Sequence, residues 1–160
     1  MSNEETATLL PSAHVSVFVS DEGVRQAAEH VSDDWRYARV AVEVYKGDIA
    51  TAIETVAGAA TTHDLIVIET SRTDETLTEQ LETLAEHCHE NTAAIVIGPV
   101  NDVYLYRTLI GMGVSDYLVP PIDERDFADI IARTLIERLG LAGSRLIAFV
   151  GAKGGVGTSA

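Results

Sequence analysis

Hydrophobic positions follow two patterns, one typical of strands and one typical of helices, and the two alternate along the chain. Short apolar runs, either continuous or alternating with polar residues, predict β-strands. Two of these runs, DLIVIE and AAIVIG, are apolar almost throughout, as are strands that are buried on both faces of a sheet. A third, RVAVEVY, places its valines on one face and Glu43 on the other. The predicted strands are residues 14–20, 39–45, 64–69, 93–98 and 116–119.

Helical periodicity fills the segments between these strands. Apolar residues recur there three and four positions apart, which is the spacing of one face of an α-helix. Asp48 and Asp123 each precede such a segment and are predicted N-caps. One further helix is predicted from about residue 101 to 112. The apolar positions of the other four are Val24, Ala27, Ala28 and Val31; Ile49, Ala52, Ile53, Val56, Ala57 and Ala60; Leu77, Leu81, Leu84, Ala85 and Cys88; and Phe127, Ile130, Ile131, Leu135 and Leu139.

Regular alternation of strands and helices predicts an α/β fold with a doubly wound parallel sheet and helices on both faces. The second strand has one polar face, as an edge strand tolerates, whereas the third and fourth have none. This difference favours the strand order 2-1-3-4-5, which is the flavodoxin-like arrangement. Ligands of such sheets bind at the carboxyl ends of the strands, so the residues that follow each strand are the first candidates for a site.

Composition and charge narrow the possible functions. The 160 residues suit one domain, or one domain and part of a second, and 46% of them are hydrophobic, enough for a sizeable core. The formal net charge of −14 argues against direct binding of nucleic acid or of anionic lipid. The single cysteine excludes an internal disulfide, and no apolar run is long enough to span a bilayer. The N-terminus lacks the features of a secretory signal, so we predict a cytoplasmic protein.

The residues that follow the strands resemble the phosphorylation site of the CheY-like receiver domains of response regulators. The segment GVSDYLVPPID is similar to the region around the fifth strand of a receiver. In that family, an aspartate at the end of the third strand accepts a phosphoryl group and an acidic pair after the first strand holds magnesium. A serine or threonine after the fourth strand, and a lysine followed by a proline after the fifth, bind the phosphoryl oxygens. The matching positions here are Ser20, Asp21, Glu69, Gly98, Pro120 and Pro121.

Most of the chemistry of that site is missing from this chain. Glu69 stands in place of the acceptor aspartate, and Ser20 replaces one member of the acidic pair. Gly98 offers no hydroxyl and Pro120 offers no ammonium group, whereas a phosphoryl group needs compensating positive charge and hydrogen-bond donors. We therefore predict a pseudo-receiver that has no catalytic residues and no bound metal and is not phosphorylated in the usual way. A receiver that is switched by phosphorylation is the alternative.

Glu69 itself allows two interpretations. Its permanent negative charge could mimic a phosphorylated state, or it could be a solvated strand-end charge with no further role.

Two further groups of residues have side chains that are common in binding sites. His87, Cys88 and His89 are spaced unlike metal ligands, because residues two apart on a helix do not share a face. A core thiol between exposed histidines is the prediction there. For Trp35 we predict ordinary packing, and a contact residue is the alternative. The resemblance to receivers also implies a protein-binding surface, which here includes Tyr104, Arg107, Tyr117 and the exposed side of residues 123–139.

The last twenty residues carry a separate motif. GLAGS has the small residues of a linker, RLIAFV predicts a new buried strand, and GAKGGVGTS predicts a loop whose backbone amides could hold phosphate. The KGGVG string resembles the deviant Walker A loop of the MinD/ParA ATPases. The resemblance implies a nucleotide site that uses Lys153 on a dimer partner's nucleotide and Ser159 on magnesium, although Thr158 replaces the later lysine. The implied nucleotide-binding residues are Lys153, Gly154, Gly155, Val156, Gly157, Thr158 and Ser159.

A receiver-like domain followed by the start of a MinD/ParA-like ATPase resembles the CpaE/TadZ family of Flp/Tad pilus assembly proteins. This implies a tail at 1–13, a receiver-like domain at 14–140, and a linker with the start of a truncated ATPase domain at 141–160. For the full-length protein it implies ATP and magnesium, a homodimer, protein partners in pilus assembly and recruitment to a cell pole. No cofactor and no ATP hydrolysis are expected of the 160 residues alone. The other alternative is a ParA-like partitioning ATPase with a fused sensor.

Overall fold

A computed structural model describes residues 9–58, 63–88 and 92–140 of the chain. The strands are β1 (Ala13–Val19), β2 (Val40–Lys46), β3 (Leu65–Glu69), β4 (Ala93–Ile97) and β5 (Asp116–Leu118). The α-helices are α1 (Glu22–Val31), α2 (Ile49–Ala57), α3 (Glu75–Glu86), α4 (Val103–Gly111) and α5 (Glu124–Leu135), and a π-helical turn (Ile136–Gly140) follows α5. The predictions for Ala60, His89, the linker, the ATPase strand and the phosphate loop fall outside the described residues.

The five strands form one parallel sheet in the order β2-β1-β3-β4-β5, which confirms the predicted flavodoxin-like fold. β1 pairs with both β2 and β3, so that Val17 lies beside Val44 on one side and Val67 on the other. β2 and β5 are the edge strands, and Glu43 of β2 is exposed, as its alternating pattern predicted. Parallel pairing brings the carboxyl ends of the strands to a single edge of the sheet.

A separate hydrophobic core lies on each face of the sheet. On one face, α1 and α5 cover Val15, Val17 and their neighbours in β3 and β4. On the other face, α2, α3 and α4 pack over Phe18, Ile66 and Ile68. Strands β3 and β4 are buried on both faces, and this explains why their sequences are apolar almost throughout.

Each of the five described α-helices begins after an aspartate. The side chain of that aspartate accepts a hydrogen bond from a backbone N–H in the first turn of the helix, which has no partner within the helix itself. Asp48 and Asp123 were predicted to do this from the sequence, and both predictions are confirmed. The complete set of N-caps is Asp21, Asp48, Asp74, Asp102 and Asp123.

Packing differs from the predicted pattern at several positions near the ends of elements. Helix α3 ends at Glu86, so Cys88 lies beyond it, half-buried against the core. Ala57 and Ala85, which were predicted to be apolar-face residues, are exposed. A methyl side chain loses little by exposure, and the larger neighbours on each helix supply the burial.

The region between α1 and β2 differs most from expectation. Trp35 is 62% exposed, so the prediction of ordinary packing was wrong. The neighbouring Tyr37 is buried instead, and its hydroxyl donates a hydrogen bond to the carbonyl of Ala128 in α5. Leu10 is also fully buried, and its N–H donates to the Arg36 carbonyl. Leu10, which lies in the predicted N-terminal tail, therefore packs against the domain.

Within the described ranges, no helix combines the length and the apolar character that crossing a bilayer requires.

Candidate functional site

The carboxyl edge of the sheet brings together the residues that were predicted to form the remnant of a receiver site. Glu69 ends β3 beside Ile97 of β4, and Gly98 follows directly, its N–H donating to the Leu118 carbonyl of β5. Ser20 and Asp21 follow β1, which pairs with β3 on its other side. Strand pairing alone thus places the ends of β1, β3, β4 and β5 in one row.

The Glu69 carboxylate is bound to the loop between β1 and α1. Its Oε1 atom accepts hydrogen bonds from the backbone N–H groups of Ser20 at 2.6 Å and of Asp21 at 2.9 Å. Hydrogen bonds to an ionised acceptor are among the stronger ones in proteins. Glu69 is half-buried, and these two hydrogen bonds hold its carboxylate in place. Its carboxylate connects β3 to the loop that would contribute magnesium ligands in a receiver.

The polar side chains of that loop are engaged in local structure. Asp21 Oδ2 accepts a hydrogen bond from the N–H of Val24 at 3.0 Å and so caps α1. The Ser20 hydroxyl donates to the carbonyl of Gly47, after β2, at 3.2 Å. In this arrangement the loop presents its two backbone amides, rather than a pair of carboxylates, toward the end of β3.

The ring of Tyr117 leaves room only for glycine at position 98. This contact was not predicted from the sequence. A Cβ atom added to Gly98 would lie 2.6 Å from Cε1 of Tyr117 and closer still to its hydroxyl oxygen. The Tyr117 hydroxyl donates to the Val100 carbonyl at 2.6 Å, and burial raises the pKa of that hydroxyl. The ring therefore occupies the space in which a serine or threonine at position 98 would have to stand.

Pro120 and Pro121 lie just beyond β5, in the connection to α5. Pro120 is half-buried, Pro121 is exposed, and the peptide bond between them is cis. Neither side chain can donate a hydrogen bond, so position 120 contributes no positive charge to this edge.

Among the described residues, no group of three or more histidine, cysteine, aspartate or glutamate side chains could hold a metal ion. His87 is exposed and Cys88 is half-buried, and burial raises the pKa of the Cys88 thiol.

The surface that receivers use for partners is partly as expected. Tyr104 is 80% exposed and Arg107 is exposed, but Tyr117 is buried and does not belong to the surface. Its hydrogen bond and its packing against Gly98 explain the difference. Val100, Val103 and Tyr106 are also exposed large apolar residues. Val103 and Tyr106, three residues apart, share one face of α4, and Tyr104 lies on another side of the same helix. We call these four exposed residues, around the start of α4, the α4 patch. A groove of about 480 Å³ lies beside it, between the start of α4 and β5.

A polar cluster at the opposite, amino edge of the sheet was not predicted. His63 is 5% exposed, its Nδ1 atom is 2.8 Å from the Ser16 hydroxyl, and its buried Nε2 atom has no hydrogen-bond partner among the described residues. The ring stacks on His14 at 4.8 Å, and His14 Nε2 lies 3.0 Å from Glu43 Oε1. Burial lowers the pKa of His63. The signals available in the sequence were two polar residues, His14 and Ser16, in a strand that is otherwise apolar.

Comparison with solved structures finds similar proteins that cover most of this chain. A protein described as a CpaE2 pilus assembly protein of Sinorhizobium meliloti is 40% identical, with a TM-score of 0.71, over 76% of this chain and 98% of the other. The pilus assembly protein CpaE of Caulobacter crescentus is 27% identical, with a TM-score of 0.71, over 80% of this chain and 94% of the other.

A CheY-like response regulator of Mesorhizobium loti shares the fold at 16% identity, with a TM-score of 0.57, over 78% of this chain and 99% of the other. No protein-family model and no curated protein matches the chain.

Proposed function

We propose that this chain, which belongs to the family of CpaE pilus assembly proteins, regulates pilus assembly through its receiver-like domain. The domain acts by binding other proteins and is not phosphorylated. The observation that carries this proposal is the Glu69 carboxylate, which is hydrogen-bonded to the amides of Ser20 and Asp21 at the place where a receiver holds its acceptor. No catalytic role is assigned to the described domain.

The chemistry at this edge supports the loss of phosphorylation. Two backbone amides occupy Oε1 of Glu69, which leaves Oε2 as the oxygen that could attack phosphorus. The developing charge on a transferred phosphoryl group needs donors and cations around it. Gly98 and Pro120 supply neither, and the Tyr117 ring prevents a simple return of a hydroxyl at position 98.

Incubation with acetyl phosphate and magnesium, followed by intact-mass measurement, tests this part of the proposal. We expect no mass gain for the native chain or for Glu69→Gln, whereas a receiver with an intact site in the same mixture gains one phosphoryl group. A gain by the native chain that Glu69→Gln abolishes would identify an active acceptor and overturn the proposal.

The α4 patch is the surface that we propose for a protein partner. Exposed apolar residues that cluster, rather than scatter singly, mark interaction sites. Val103 and Tyr104 are 63% and 80% exposed. Val103 and Tyr106 line the groove, which offers space for a partner's side chain.

Substitution in a pilus-forming host tests the role of the α4 patch. We expect Tyr104→Ser to reduce surface pilin strongly without changing the level or thermal stability of the protein, because its side chain makes few contacts within the domain. Trp35→Ser is the matched control, since it removes an exposed aromatic residue of similar size from another part of the surface. An equal loss of surface pilin in both variants, or no loss in either, would count against the α4 patch as the binding surface.

Further parts of the proposal concern the longer protein. We propose that residues 153–159 bind ATP with magnesium when the rest of an ATPase domain is present, and that two such chains form a dimer. We also propose that the protein works in the cytoplasm at a cell pole, and that neither nucleic acid nor membrane insertion is involved. The strongly acidic composition of these 160 residues supports the exclusion of nucleic acid.

A further inference from the structure

A groove of about 500 Å³ lies between the C-terminal half of α3 and the end of α4, on the face of the sheet that α2, α3 and α4 cover. We call it the α3–α4 groove. Its lining includes Leu81, Leu84 and Val114, which belong to the core on that face. Cys88 also lines it and is half-buried, and Met112 is 37% exposed. An apolar side chain that entered the groove would be removed from water, which is favourable.

The turn that follows α5 contacts both faces of the domain. Helix α5 covers the face opposite the groove, and Ile136, the first residue of the turn, packs against the core on that opposite face. Arg138, two residues later, lines the α3–α4 groove. The chain therefore leaves α5 next to this groove.

The predicted linker after this turn has one large apolar side chain. Leu141 comes three residues after Arg138, and the other residues of GLAGS are glycine, alanine and serine. Three residues span at most about 10 Å, so the backbone of Leu141 stays within that distance of the backbone of Arg138. A leucine in a solvated linker would expose its side chain to water, and the α3–α4 groove is within its reach.

From these positions we infer that the α3–α4 groove binds the linker of this same chain, with the side chain of Leu141 against Cys88 and Met112. This contact fixes the direction in which the chain leaves the receiver-like domain. Any domain that follows the linker is then held on the α3–α4 side. Neither the α4 patch nor the chemistry of Glu69 enters into this placement.

Disulfide trapping tests this placement directly, because Cys88 is the only cysteine in the sequence and lines the groove. Ala142→Cys adds a second thiol beside Leu141 and keeps the leucine itself. A disulfide needs Cα atoms about 4.4–6.8 Å apart, so it forms fast only between residues that are held together. We expect the full chain with Ala142→Cys to form this disulfide within one chain under mild oxidation. Adding Leu141→Ser should slow it about ten-fold, the factor expected from losing much of the burial of one leucine.

Labelling of Cys88 with a maleimide, in chains that have no second cysteine, gives an independent measurement. We expect Leu141→Ser to label several-fold faster than the native chain, because the linker no longer covers the thiol. Leu9→Ser is the matched control in both experiments, since it removes a leucine that is 38% exposed and does not line the groove. It should leave trapping and labelling unchanged. Circular dichroism spectra check that each variant is folded.

Three results would overturn the inference. Equal trapping rates with and without Leu141→Ser would show that tethering alone brings the two thiols together. Disulfides that join two chains, rather than two positions of one chain, would assign the groove to a second copy. Equal labelling of Cys88 in the native chain and in Leu141→Ser would show that Leu141 does not cover the groove.

Discussion

At the scale of single residues, Gly98 and Tyr117 depend on each other. A larger residue at position 98 collides with the tyrosine ring, and the ring is held by the hydrogen bond from its hydroxyl to the Val100 carbonyl. The absence of a serine or threonine at this position is therefore part of the packing between β4 and β5. Restoring receiver chemistry here needs two changes rather than one.

This coupling predicts the stability of three variants. Gly98→Ser should lower the free energy of unfolding by about 1–3 kcal/mol, the usual cost of overpacking. Tyr117→Phe should not reduce this loss of stability, because ring carbon Cε1 itself lies 2.6 Å from the added Cβ. Tyr117→Leu should remove part of the collision. Gly98→Ser should therefore lower the free energy of unfolding less in the Tyr117→Leu background than in the native chain.

Urea unfolding of the single and double variants measures the coupling. Additive losses in Gly98→Ser/Tyr117→Leu would show that the two side chains do not share this space.

The second feature at the residue scale is Glu69, whose role could be recognised only in part from the sequence. Its position after an apolar strand predicted a charge at the carboxyl edge. Its hydrogen bonds join residues that are 48 and 49 positions apart, and no local pattern encodes such partners. Whether that charge mimics a phosphorylated state is still a prediction.

At the scale of elements, the helices of this domain share the same kind of N-terminal cap. Each α-helix in the described ranges starts at an aspartate cap, and this also accounts for several of the acidic residues in the composition. A carboxylate near the N-terminus of a helix also interacts favourably with the helix dipole. Part of the strong negative charge is therefore structural.

The cap of α4 gives a direct test. Asp102 Oδ1 accepts from the N–H groups of Tyr104 at 2.8 Å and of Leu105 at 3.2 Å. Asp102→Ala should lower the free energy of unfolding by about 1 kcal/mol, and Asp102→Asn by only a few tenths, because asparagine is a comparable cap.

Thermal unfolding of these two variants is compared with that of Asn101→Ala, which alters the adjacent exposed residue. Equal losses for Asp102→Ala and Asp102→Asn would show that the cap does not stabilise α4.

At the scale of the whole molecule, the two edges of the sheet differ in chemistry. The carboxyl edge holds the Glu69 carboxylate against backbone amides, and the amino edge holds a buried imidazole between Ser16 and His14. The charged and titratable groups that face this imidazole are His14 on β1, Glu43 on β2 and Asp64 before β3. The His63 pKa is lowered mainly because burial disfavours the charged ring.

This lowered pKa makes the stability of the domain depend on pH. The unfolded chain takes up a proton at position 63 near the ordinary histidine value of about 6.5, whereas the folded chain does so only at lower pH. Between these two values the unfolded state binds more protons, so stability falls as pH falls through that window. Above about pH 7 both states are neutral at His63, and its contribution no longer changes with pH.

Urea unfolding of the native chain, His63→Gln and His30→Gln across this range tests the assignment. We expect His63→Gln to flatten the pH dependence and His30→Gln, which alters an exposed histidine, to leave most of it. An unchanged slope in His63→Gln would assign the dependence to another group.

The hydrophobic pattern alone was enough to predict the five strands, the five α-helices, the strand order and the two edge strands. It could do so because burial imposes a period on each element, and because central strands of a parallel sheet are apolar on both faces. The side-chain contacts became visible only in the folded structure. Glu69 binds two backbone amides, Tyr117 packs over Gly98, and His63 lies within hydrogen-bond distance of Ser16. Ser16 and His63 are 47 positions apart, and such contacts arise only when parallel pairing brings distant segments together.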